Sequence, residues 1–465
     1  MAVWSEIEYS NVDVTSRIDS EYFLPDFVKN EKTMMQIKTK PLPYLFHVSD
    51  GNHLGISQYF TDKTGAIPYF RGKDINDFFL ENASPIRVPY SIFNSNQMKR
   101  SHFKTDDVLL SIVGTIGSLS IVPDTINNAT GSCKIAILKG KGVLSPYYLA
   151  AFLLSKYGQL QMNRNTRGAV QMGLILKDLI KILIPIILVS DETNIENLVK
   201  NAIEKNKQSK SLYLQAQELL EHELGLDTLK FEKPVGYEVN FSDAILSSRT
   251  DAEYFQPQYI RLSKALRKSA LLNGREVYKI KELLRSSPKY GSSKKLKYVE
   301  AGVPFLRIAD LSNLKFDKDK LKYISTKEAY EERNAQVKTD DILISLSGTL
   351  GLTIRITSEL DGSIFGSYFI RLQLNEEINP RYFSFYMNSL PGKMQVERYN
   401  TGGVQTNLTI PAIESFQVVL LKKKKEEQLL GLITQAEESL KESKELLEKA
   451  KQKVENLIEQ AAGET

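Results

Sequence analysis

The stretch that decides the fold is Glu426–Gln460, which reads EEQLLGLITQAEESLKESKELLEKAKQKVENLIEQ. Apolar and small residues return in it every seven positions over four heptads, with glutamate and lysine at most other positions. This a/d pattern is typical of a helix that buries one seam against a partner helix. The seam residues are Ile433, Ala436, Leu440, Ser443, Leu447, Ala450, Val454 and Leu457.

A second copy of this seam lies 234 positions earlier, within Asp191–Leu224. Its members are Val199, Ala202, Ser209, Tyr213, Ala216 and Leu220. A chain that carries the seam twice can bury both copies by packing the two helices on each other. We therefore predict an antiparallel intramolecular coiled coil whose helices are each about 50 Å long. The alternative is a coiled coil between two copies of the chain.

The repeat extends well beyond the helices. Arg17–Phe23 (RIDSEYF) returns as Arg249–Phe255 (RTDAEYF), and Lys104–Ser111 (KTDDVLLS) returns as Lys338–Ser345 (KTDDILIS). A Gly-Thr-x-Gly block follows in each copy, at 114–117 and at 348–351. Such blocks in one order and at a near-constant offset indicate two tandem copies of a globular domain followed by a helix.

The local pattern within each copy predicts an α+β (mixed α/β) fold. Val108–Val113 and Ile342–Leu346 are apolar runs after an Asp-Asp turn, which predicts buried strands. Pro146–Met162 and Pro380–Tyr399 begin with proline and have helical spacing, which predicts one helix each. If the long helices pack antiparallel, we expect the two domains to be related by a pseudo-two-fold axis.

The heptads also predict the domain boundaries. The division is a first globular domain at 1–189, a long helix at 190–230, a second globular domain at 231–424 and a second long helix at 425–465.

Composition narrows the class of protein. The net charge of +5 over 465 residues permits a nucleic-acid partner but does not demand one. Cys133 is the sole cysteine, which excludes an intrachain disulfide and fits the reducing cytoplasm. The start of the chain does not resemble a signal peptide, and the apolar run Ile182–Val189 is too short to span a bilayer. We expect no membrane association.

Enzyme signatures are absent from the sequence. It has no G-x-x-x-x-G-K-[ST] phosphate loop, no N-P-P-[YF] or D-P-P-Y tetrapeptide of adenine methyltransferases, and no glycine-rich methionine-cofactor loop. The four histidines do not have the spacing of metal ligands. We therefore predict no catalytic residue, no metal and no cofactor in this chain.

Polar residues repeated beside turns are the candidates for DNA contact. Arg71 and Lys73 follow an apolar run, as Arg307 does in the second copy. Arginine can hold guanine by two hydrogen bonds, and arginine or lysine can neutralise phosphate. The alternative is an ion pair with Asp74 or Asp310 that holds a strand end.

Further candidates lie in and after the glycine-rich turns. Thr115 and Thr349 stand where glycine could let the backbone approach a phosphate, although a tight structural turn explains the same pattern. Glutamines behind small residues could reach a base edge, and arginines lie nearby. These residues are Gln171, Gln405, Arg164, Arg167 and Arg398.

With these motifs, the chain resembles the specificity subunit of Type I restriction–modification enzymes over its whole length. The resemblance rests on the tandem layout, on Arg-x-Asp-x-Glu-Tyr-Phe, on Lys-Thr-Asp-Asp-[VI]-Leu-[LI]-Ser with Gly-Thr-x-Gly, and on the closing helices. It implies two target-recognition domains, each reading one half of a bipartite double-stranded DNA target, and a helix pair that sets the gap between the halves.

The resemblance also implies partners. They are two methyltransferase subunits, which bind S-adenosylmethionine, and endonuclease–translocase subunits, which use ATP and Mg²⁺. The specificity subunit itself catalyses nothing. Two other hypotheses remain open, a structural coiled-coil adaptor without DNA binding and a nuclease with an unrecognised site.

The two copies differ most in the loops between the shared blocks. Asn94–Ser101 has little in common with Glu328–Ala335, and Gly51–Thr64 has little in common with Ser286–Val299. If each domain reads a different sequence, base contacts belong in such loops. The repeated arginine and glutamine candidates then fit phosphate contact better than base reading.

Overall fold

The structure is a computed structural model that describes residues 5–7, 17–75, 78–80, 83–168, 172–231, 234–247, 249–312, 314–399 and 408–463. It divides into two compact units. Unit 1 comprises Met1–Ser209 with Glu437–Thr465, and unit 2 comprises Lys210–Ala436. Both units contain helices and antiparallel sheets, so the predicted mixed α and β fold class is confirmed.

Unit 1 contains short helices, short strands and parts of two long helices. The helices are α1 (Pro25–Gln36), α2 (Leu42–Leu45), α3 (Tyr90–Phe93), α4 (Pro146–Leu154), α5 (Lys156–Arg164), α6 (Leu176–Leu179) and α7 (Val189–Glu223), whose last turns belong to unit 2. The strands are β1 (Thr39–Pro41), β2 (Phe46–Asp50), β3 (Ile67–Phe70), β4 (Ile86–Val88), β5 (His102–Phe103), β6 (Val108–Ser111), β7 (Leu119–Ile121), β8 (Ala129–Gly131), β9 (Ile135–Gly140) and β10 (Leu183–Pro185).

The strands of unit 1 form a larger and a smaller four-stranded sheet and one two-stranded pair. The larger sheet has the order β2-β9-β6-β7 and is antiparallel throughout, with Leu110 opposite Ala136. The smaller sheet has the order β4-β3-β8-β5, in which β3 and β8 run parallel. Strands β1 and β10 pair antiparallel. Strand β6 is buried at every position because it lies inside the larger sheet.

Unit 2 repeats this arrangement. Its helices are α8 (Phe241–Ser247), α9 (Pro257–Leu272), α10 (Thr326–Glu331), α11 (Pro380–Asn388), α12 (Leu390–Tyr399), α13 (Ile410–Ser415) and α14 (Lys423–Ala462), most of which lies in unit 1. Its strands are β11 (Val277–Lys279), β12 (Leu284–Tyr290), β13 (Tyr298–Val299), β14 (Val303–Leu306), β15 (Leu311–Ser312), β16 (Lys315–Phe316), β17 (Lys322–Ile324), β18 (Ile342–Ser345), β19 (Thr353–Arg355), β20 (Ile364–Phe365), β21 (Phe369–Leu374) and β22 (Gln417–Val419).

The larger sheet of unit 2 matches that of unit 1. Its order is β12-β21-β18-β19, and Ile344 lies opposite Ile370, which are the residues 234 positions after Leu110 and Ala136. The smaller sheet differs, with the order β13-β17-β14-β20. The scaffold is therefore shared between the units, and the divergence lies in the smaller sheet and its loops.

Each predicted helix after the larger sheet is in fact two helices. Ser155 has an extended backbone with ψ of 161° between α4 and α5, and Ser389 separates α11 from α12 in the same way. The second helix of each pair packs tightly on the first. A Cβ at Gly158 would lie 2.3 Å from the carbonyl oxygen of Phe152, and Gly392 has an equally close approach. The single helices predicted for Pro146–Met162 and Pro380–Tyr399 were wrong because this close packing requires a bend.

Helices α7 and α14 pack antiparallel within unit 1. Asp191 pairs with Lys453 at 3.6 Å, and Lys205 pairs with Glu442 at 2.5 Å. The residue number therefore rises along α7 as it falls along α14. The predicted intramolecular packing of the two helices is confirmed.

The remaining turns of both helices meet within unit 2. Lys425 pairs with Glu223 at 3.0 Å. Ala216 and Leu220 share a buried apolar cluster with Ile433 there. The buried seam residues across the two units are Val199, Ala202, Ser209, Ala216, Leu220, Ile433, Ala436, Ser443, Ala450 and Val454.

Three predicted seam residues are only half-buried, namely Tyr213, Leu440 and Leu447. Leu457 is also only half-buried, whereas its neighbour Ile458 is buried. Ile458 lies four residues after Val454. A nearly straight helix drifts away from a strict seven-residue repeat, which explains the shift near the end of α14.

Candidate nucleic-acid interface

The shared Lys-Thr-Asp-Asp block forms a tight turn before an interior strand of each larger sheet. Asp107 and Asp341 each accept a hydrogen bond from the backbone N–H three residues earlier, at 3.0 and 2.9 Å. The preceding residues, Asp106 and Asp340, have positive φ angles of 67° and 68°. These repeated aspartates therefore stabilise the turn before the strand in each unit.

The Gly-Thr turn follows at the other end of the same strand. Gly114 and Gly348 have φ angles of 89° and 69°, in the left-handed region that favours glycine. Thr115 and Thr349 are exposed, and Thr115 Oγ1 donates to Ser111 Oγ at 3.1 Å. The glycines have a structural role, and the turn leaves both threonines at the surface.

Arg71 and Arg307 form the ion pairs that were the alternative to DNA contact. Arg71 Nε donates to Asp74 Oδ2 at 3.1 Å, and Arg307 Nε donates to Asp310 Oδ2 at 3.0 Å. The two arginine side chains remain 33% and 27% exposed, so part of each guanidinium can still meet a ligand. Lys73 is exposed.

Segments with exposed polar residues meet at one end of the larger sheet of unit 1. The backbone N–H of Ile112 donates to the carbonyl oxygen of Lys134 at 3.0 Å. A Cβ at Gly72 would lie 3.1 Å from the Cβ of Lys134 and 3.3 Å from the carbonyl oxygen of Val113. The segment of Lys73 therefore lies directly against Lys134 and the Gly-Thr turn.

Arg167 joins the same end of the sheet. Gly173 pairs with both Val113 and Arg167, and the two hydrogen bonds between Gly173 and Arg167 are 2.8 Å long. Four exposed residues from four segments are thus brought to one place. We refer to them as the sheet-end cluster, which consists of Lys73, Thr115, Lys134 and Arg167.

Sequence reasoning missed Lys134. An isolated exposed lysine carries no pattern, and only the hydrogen bond from Ile112 places it in the cluster. The residue 234 positions later is Tyr368, which accepts the equivalent hydrogen bond from the N–H of Leu346 at 2.8 Å. Aligning the two copies at this offset would have shown the Lys134–Tyr368 difference.

Arg164 is bound inside unit 1. Its guanidinium lies 4.2 Å from the ring centroid of Tyr22, and Arg17 stacks on the same ring at 4.6 Å. Arg164 Nε donates to the carbonyl oxygen of Tyr22 at 3.1 Å, and its Nη1 pairs with Glu31 at 2.8 Å. Only 8% of the Arg164 side chain is exposed, which leaves little of it for a phosphate.

Arg398 has the same position in unit 2. It lies 4.2 Å from the ring centroid of Tyr254, and Arg249 lies 4.7 Å from it. Arg398 Nε donates to the carbonyl oxygen of Tyr254 at 3.1 Å. Burial raises the pKa of Tyr254 to about 12. In each copy, the tyrosine of the repeated Arg-x-Asp-x-Glu-Tyr-Phe block therefore stacks with the block's own arginine and with a second, distant arginine. This stacking holds the start of each copy against the rest of its unit.

Arg167 is exposed but paired with a buried carboxylate. Its Nε lies 2.5 Å from Asp178 Oδ2, and Lys181 Nζ lies 3.0 Å from Asp178 Oδ1. Burial alone would raise the pKa of Asp178, but the hydrogen bonds from both cations outweigh it and lower that pKa. The pair holds Arg167 in a fixed place while 42% of its side chain stays exposed.

Gln171 and Gln405 lie outside the described residues. Their possible contacts with bases therefore stay predictions.

An ion pair reaches the second divergent loop of each unit, with opposite polarity in the two units. In unit 1 the carboxylate of Asp50, the last residue of β2 before the first loop, pairs with Arg100 and lies 2.6 Å from His53 Nε2. In unit 2 Lys294 Nζ, in the first loop, lies 2.7 Å from Glu332 Oε1. The second loop thus contributes the cation in unit 1 and the anion in unit 2.

The described residues form neither a metal site nor a membrane-spanning helix. Within the described part of the chain, no group of three His, Cys, Asp or Glu side chains could hold a metal ion. No helix among those residues is both long and apolar enough to cross a membrane.

Part of the chain is similar to known DNA-specificity proteins. Residues 273–452 match the family described as the Type I restriction modification DNA specificity domain. The Type I restriction enzyme EcoBI specificity subunit of Escherichia coli is 27% identical over 146 residues, which cover 31% of this chain and 30% of that subunit. This family model therefore matches most of the second half of the chain, and the resemblance to Type I specificity subunits is confirmed.

Two solved structures are similar to this chain at low sequence identity. The Type I restriction–modification S subunit from M. genitalium is 15% identical, with a TM-score of 0.41 over 91% of this chain and 95% of that chain. The HsdS subunit from Thermoanaerobacter tengcongensis is 12% identical, with a TM-score of 0.29 over 90% of this chain and 95% of that chain.

Proposed function

We propose that this chain is the non-catalytic DNA-specificity subunit of a Type I restriction–modification complex, and that each unit reads one half of a bipartite target. The repetition of one scaffold in two units, with a specificity-domain match at 273–452, is the observation that carries this proposal. A scaffold present twice with different loops suits a target made of two different half-sites.

Within the sheet-end cluster, Lys73, Thr115 and Arg167 are our proposed phosphate contacts of unit 1. Lys73 is an exposed cation, and Arg167 is an exposed cation held in place by Asp178. Cations beside the exposed Thr115 can neutralise neighbouring phosphates and fix the position of the unit on the duplex. Arg71, Arg307 and Thr349 are proposed to make similar contacts, because their side chains reach the surface.

Arg164 and Arg398 are proposed as scaffold residues rather than DNA contacts. Their stacking on Tyr22 and Tyr254 supports this role. Gln171 and Gln405 stay proposed contacts, because they follow directly on the segments that contain Arg167 and Arg398.

We also propose a role for the helix pair. Helices α7 and α14 would set the number of base pairs between the half-sites and would dock two methyltransferase subunits. Endonuclease–translocase subunits would complete the complex in the cytoplasm. S-adenosylmethionine, ATP and Mg²⁺ would bind to these partners. The four-part division at 1–189, 190–230, 231–424 and 425–465 belongs to the same proposal.

A binding measurement tests the DNA proposal. Phosphate contacts make affinity fall steeply with salt. The logarithm of the affinity for duplex DNA should therefore fall linearly with the logarithm of the salt concentration. Lys73→Ala should weaken binding to all duplexes and reduce the salt slope by about 1. Lys40→Ala, at an exposed lysine on β1, is the matched control. Salt-independent binding, or cleavage of DNA by the purified chain with Mg²⁺, would contradict the proposal.

A further inference from the structure

Lys134 and Tyr368 occupy the same place in the two scaffolds. Each immediately precedes the second strand of the larger sheet, β9 in unit 1 and β21 in unit 2. Each accepts a backbone hydrogen bond from the strand beside it, from Ile112 at 3.0 Å and from Leu346 at 2.8 Å. The backbone at the two positions therefore has the same neighbours.

The turn and the ion pair around the two positions are shared, whereas the side chains at the two positions are not. A Gly-Thr turn with positive φ at glycine follows the neighbouring strand in both units, and an Arg–Asp ion pair follows β3 and β14 alike. Because the same fold forms around a lysine and around a tyrosine, folding does not dictate which residue stands there.

The side chains of Lys134 and Tyr368 make no contact with the rest of the described chain that would explain them as structural residues. Tyr368 is 62% exposed, and Lys134 is exposed as well. Within the described residues, neither side chain forms a hydrogen bond, an ion pair or an aromatic contact. A large aromatic side chain exposed at the surface is a feature of nucleic-acid interfaces, where rings contact bases.

The two side chains have different recognition chemistry. Lysine donates to the O6 and N7 acceptors of guanine in the major groove. A tyrosine ring can contact the methyl group of thymine or stack on an exposed base, and its hydroxyl can donate or accept a hydrogen bond. One position on a shared scaffold can thus favour different bases in the two half-sites.

We propose that Lys134 and Tyr368 are equivalent specificity-determining residues, and that each contacts a base of the half-site read by its own unit. The proposal rests on the function proposed above and adds to it. Sequence comparison of the copies pointed to the loops at 51–64 and 94–101, whereas this position lies between shared segments.

Exchanging the two side chains tests the proposal. The chain is reconstituted with its methyltransferase partner, and methylated adenines are mapped on a random-sequence DNA library. Lys134→Tyr should change the base preference at one position of one half-site by about tenfold, since one good base contact contributes about 1–3 kcal/mol of discrimination. Tyr368→Lys should do the same in the other half-site only. Lys40→Tyr, on the β1–β10 pair, is the control of matched chemistry and should leave the motif unchanged.

The outcomes separate the inference from the proposed function. If the unaltered complex methylates no split motif, the proposed function itself fails. If it does, and Lys134→Tyr only lowers methylation of all sites equally, then Lys134 is a phosphate contact and the inference is overturned. An unchanged motif in both variants overturns it too. Lys134→Ala and Tyr368→Ala, with unaltered melting temperatures, exclude misfolding as the cause of either result.

Discussion

Ser443 Oγ donates a hydrogen bond of 2.6 Å to the backbone carbonyl oxygen of Ala202, across the seam between α14 and α7. Ser443 is fully buried, and Ala202 is fully buried opposite it. The backbone of α7 thus lies within reach of a two-atom side chain on α14. Small residues in this seam allow the close approach that their repetition in the sequence predicts.

A larger side chain at this position should separate the helices. Ser443→Leu should lower the free energy of unfolding by about 1–3 kcal/mol through overpacking. Ser443→Ala should lower it by about 1 kcal/mol through loss of the hydrogen bond. Urea denaturation followed by circular dichroism measures both. The neighbouring exposed residue provides the control, because Lys444→Ala should change stability by less than about 0.5 kcal/mol. Equal stability of all three variants would show that the seam does not pack here.

Two glycines at the helix bends should not tolerate alanine. A Cβ at Gly158 or Gly392 would lie 2.3 Å from a backbone carbonyl oxygen of the preceding helix. Each alanine variant should therefore lose about 1–3 kcal/mol of stability and melt at a lower temperature. Gly431 in α14 is the matched control, because no atom lies within 4 Å of its added Cβ. Gly431→Ala should raise stability by up to about 1 kcal/mol through helix propensity. A rise in melting temperature for Gly158→Ala would refute the close packing.

The ion pair at Asp178 should make stability depend on pH in the acidic range. Its pKa in the folded protein is lowered, because the hydrogen bonds from Arg167 and Lys181 outweigh burial. The stabilisation is then fully present above the unfolded-state pKa of about 3.9, and it is lost as pH falls through the lower folded-state pKa.

Asp178→Asn should remove this contribution. The variant should be less stable than the natural chain by about 1–3 kcal/mol at neutral pH, and the difference should shrink as pH falls below about 4. Chemical denaturation between pH 7 and pH 3 measures it. Asp62→Asn, at an exposed aspartate, should show no such pH-dependent difference. If the stability difference between the two chains instead grew as the pH fell, the proposed contribution of the Asp178 ion pair would be refuted.

Some features followed directly from the sequence because a physical rule links them to a repeated pattern. The seven-residue spacing around Ala202 and Ser443 requires a paired helix, and the Asp-Asp turn before Val108 places a buried strand. The same rules could not predict features that depend on a contact between separate segments. The bend at Ser155 depends on Gly158 meeting Phe152.

In the candidate site too, residues in repeated patterns could be predicted, and residues placed by distant contacts could not. Arg71 and Thr115 were predicted as candidates because they repeat beside turns, whereas Lys134 was not predicted because it does not repeat. Arg164 was proposed as a DNA contact because it is a cation near a glycine-rich segment. Its stacking on Tyr22 depends on a partner 142 residues away, which no local pattern reveals.

The proposed spacer role predicts the effect of shortening both helices. Ile203–Ser209 in α7 and Glu437–Ser443 in α14 are heptads that lie opposite each other, as the Lys205–Glu442 pair indicates. Deleting both preserves the seam register and removes about 10 Å of helix, which equals about 3 base pairs. The preferred gap in methylated DNA should shrink by about that number. Lys205→Ala with Glu442→Ala removes the ion pair at constant length and should leave the gap unchanged. A constant gap in the deletion variant would refute the spacer role.

The central claim is that one chain reads two separate half-sites at a fixed distance. Mapping all methylated adenines in DNA from cells that express this chain with its methyltransferase partner tests it most directly. We expect one split motif, with two specified halves separated by a constant number of unspecified base pairs. Methylation at a contiguous motif, at halves with a variable gap, or at sites that do not change when this chain is omitted would contradict the claim.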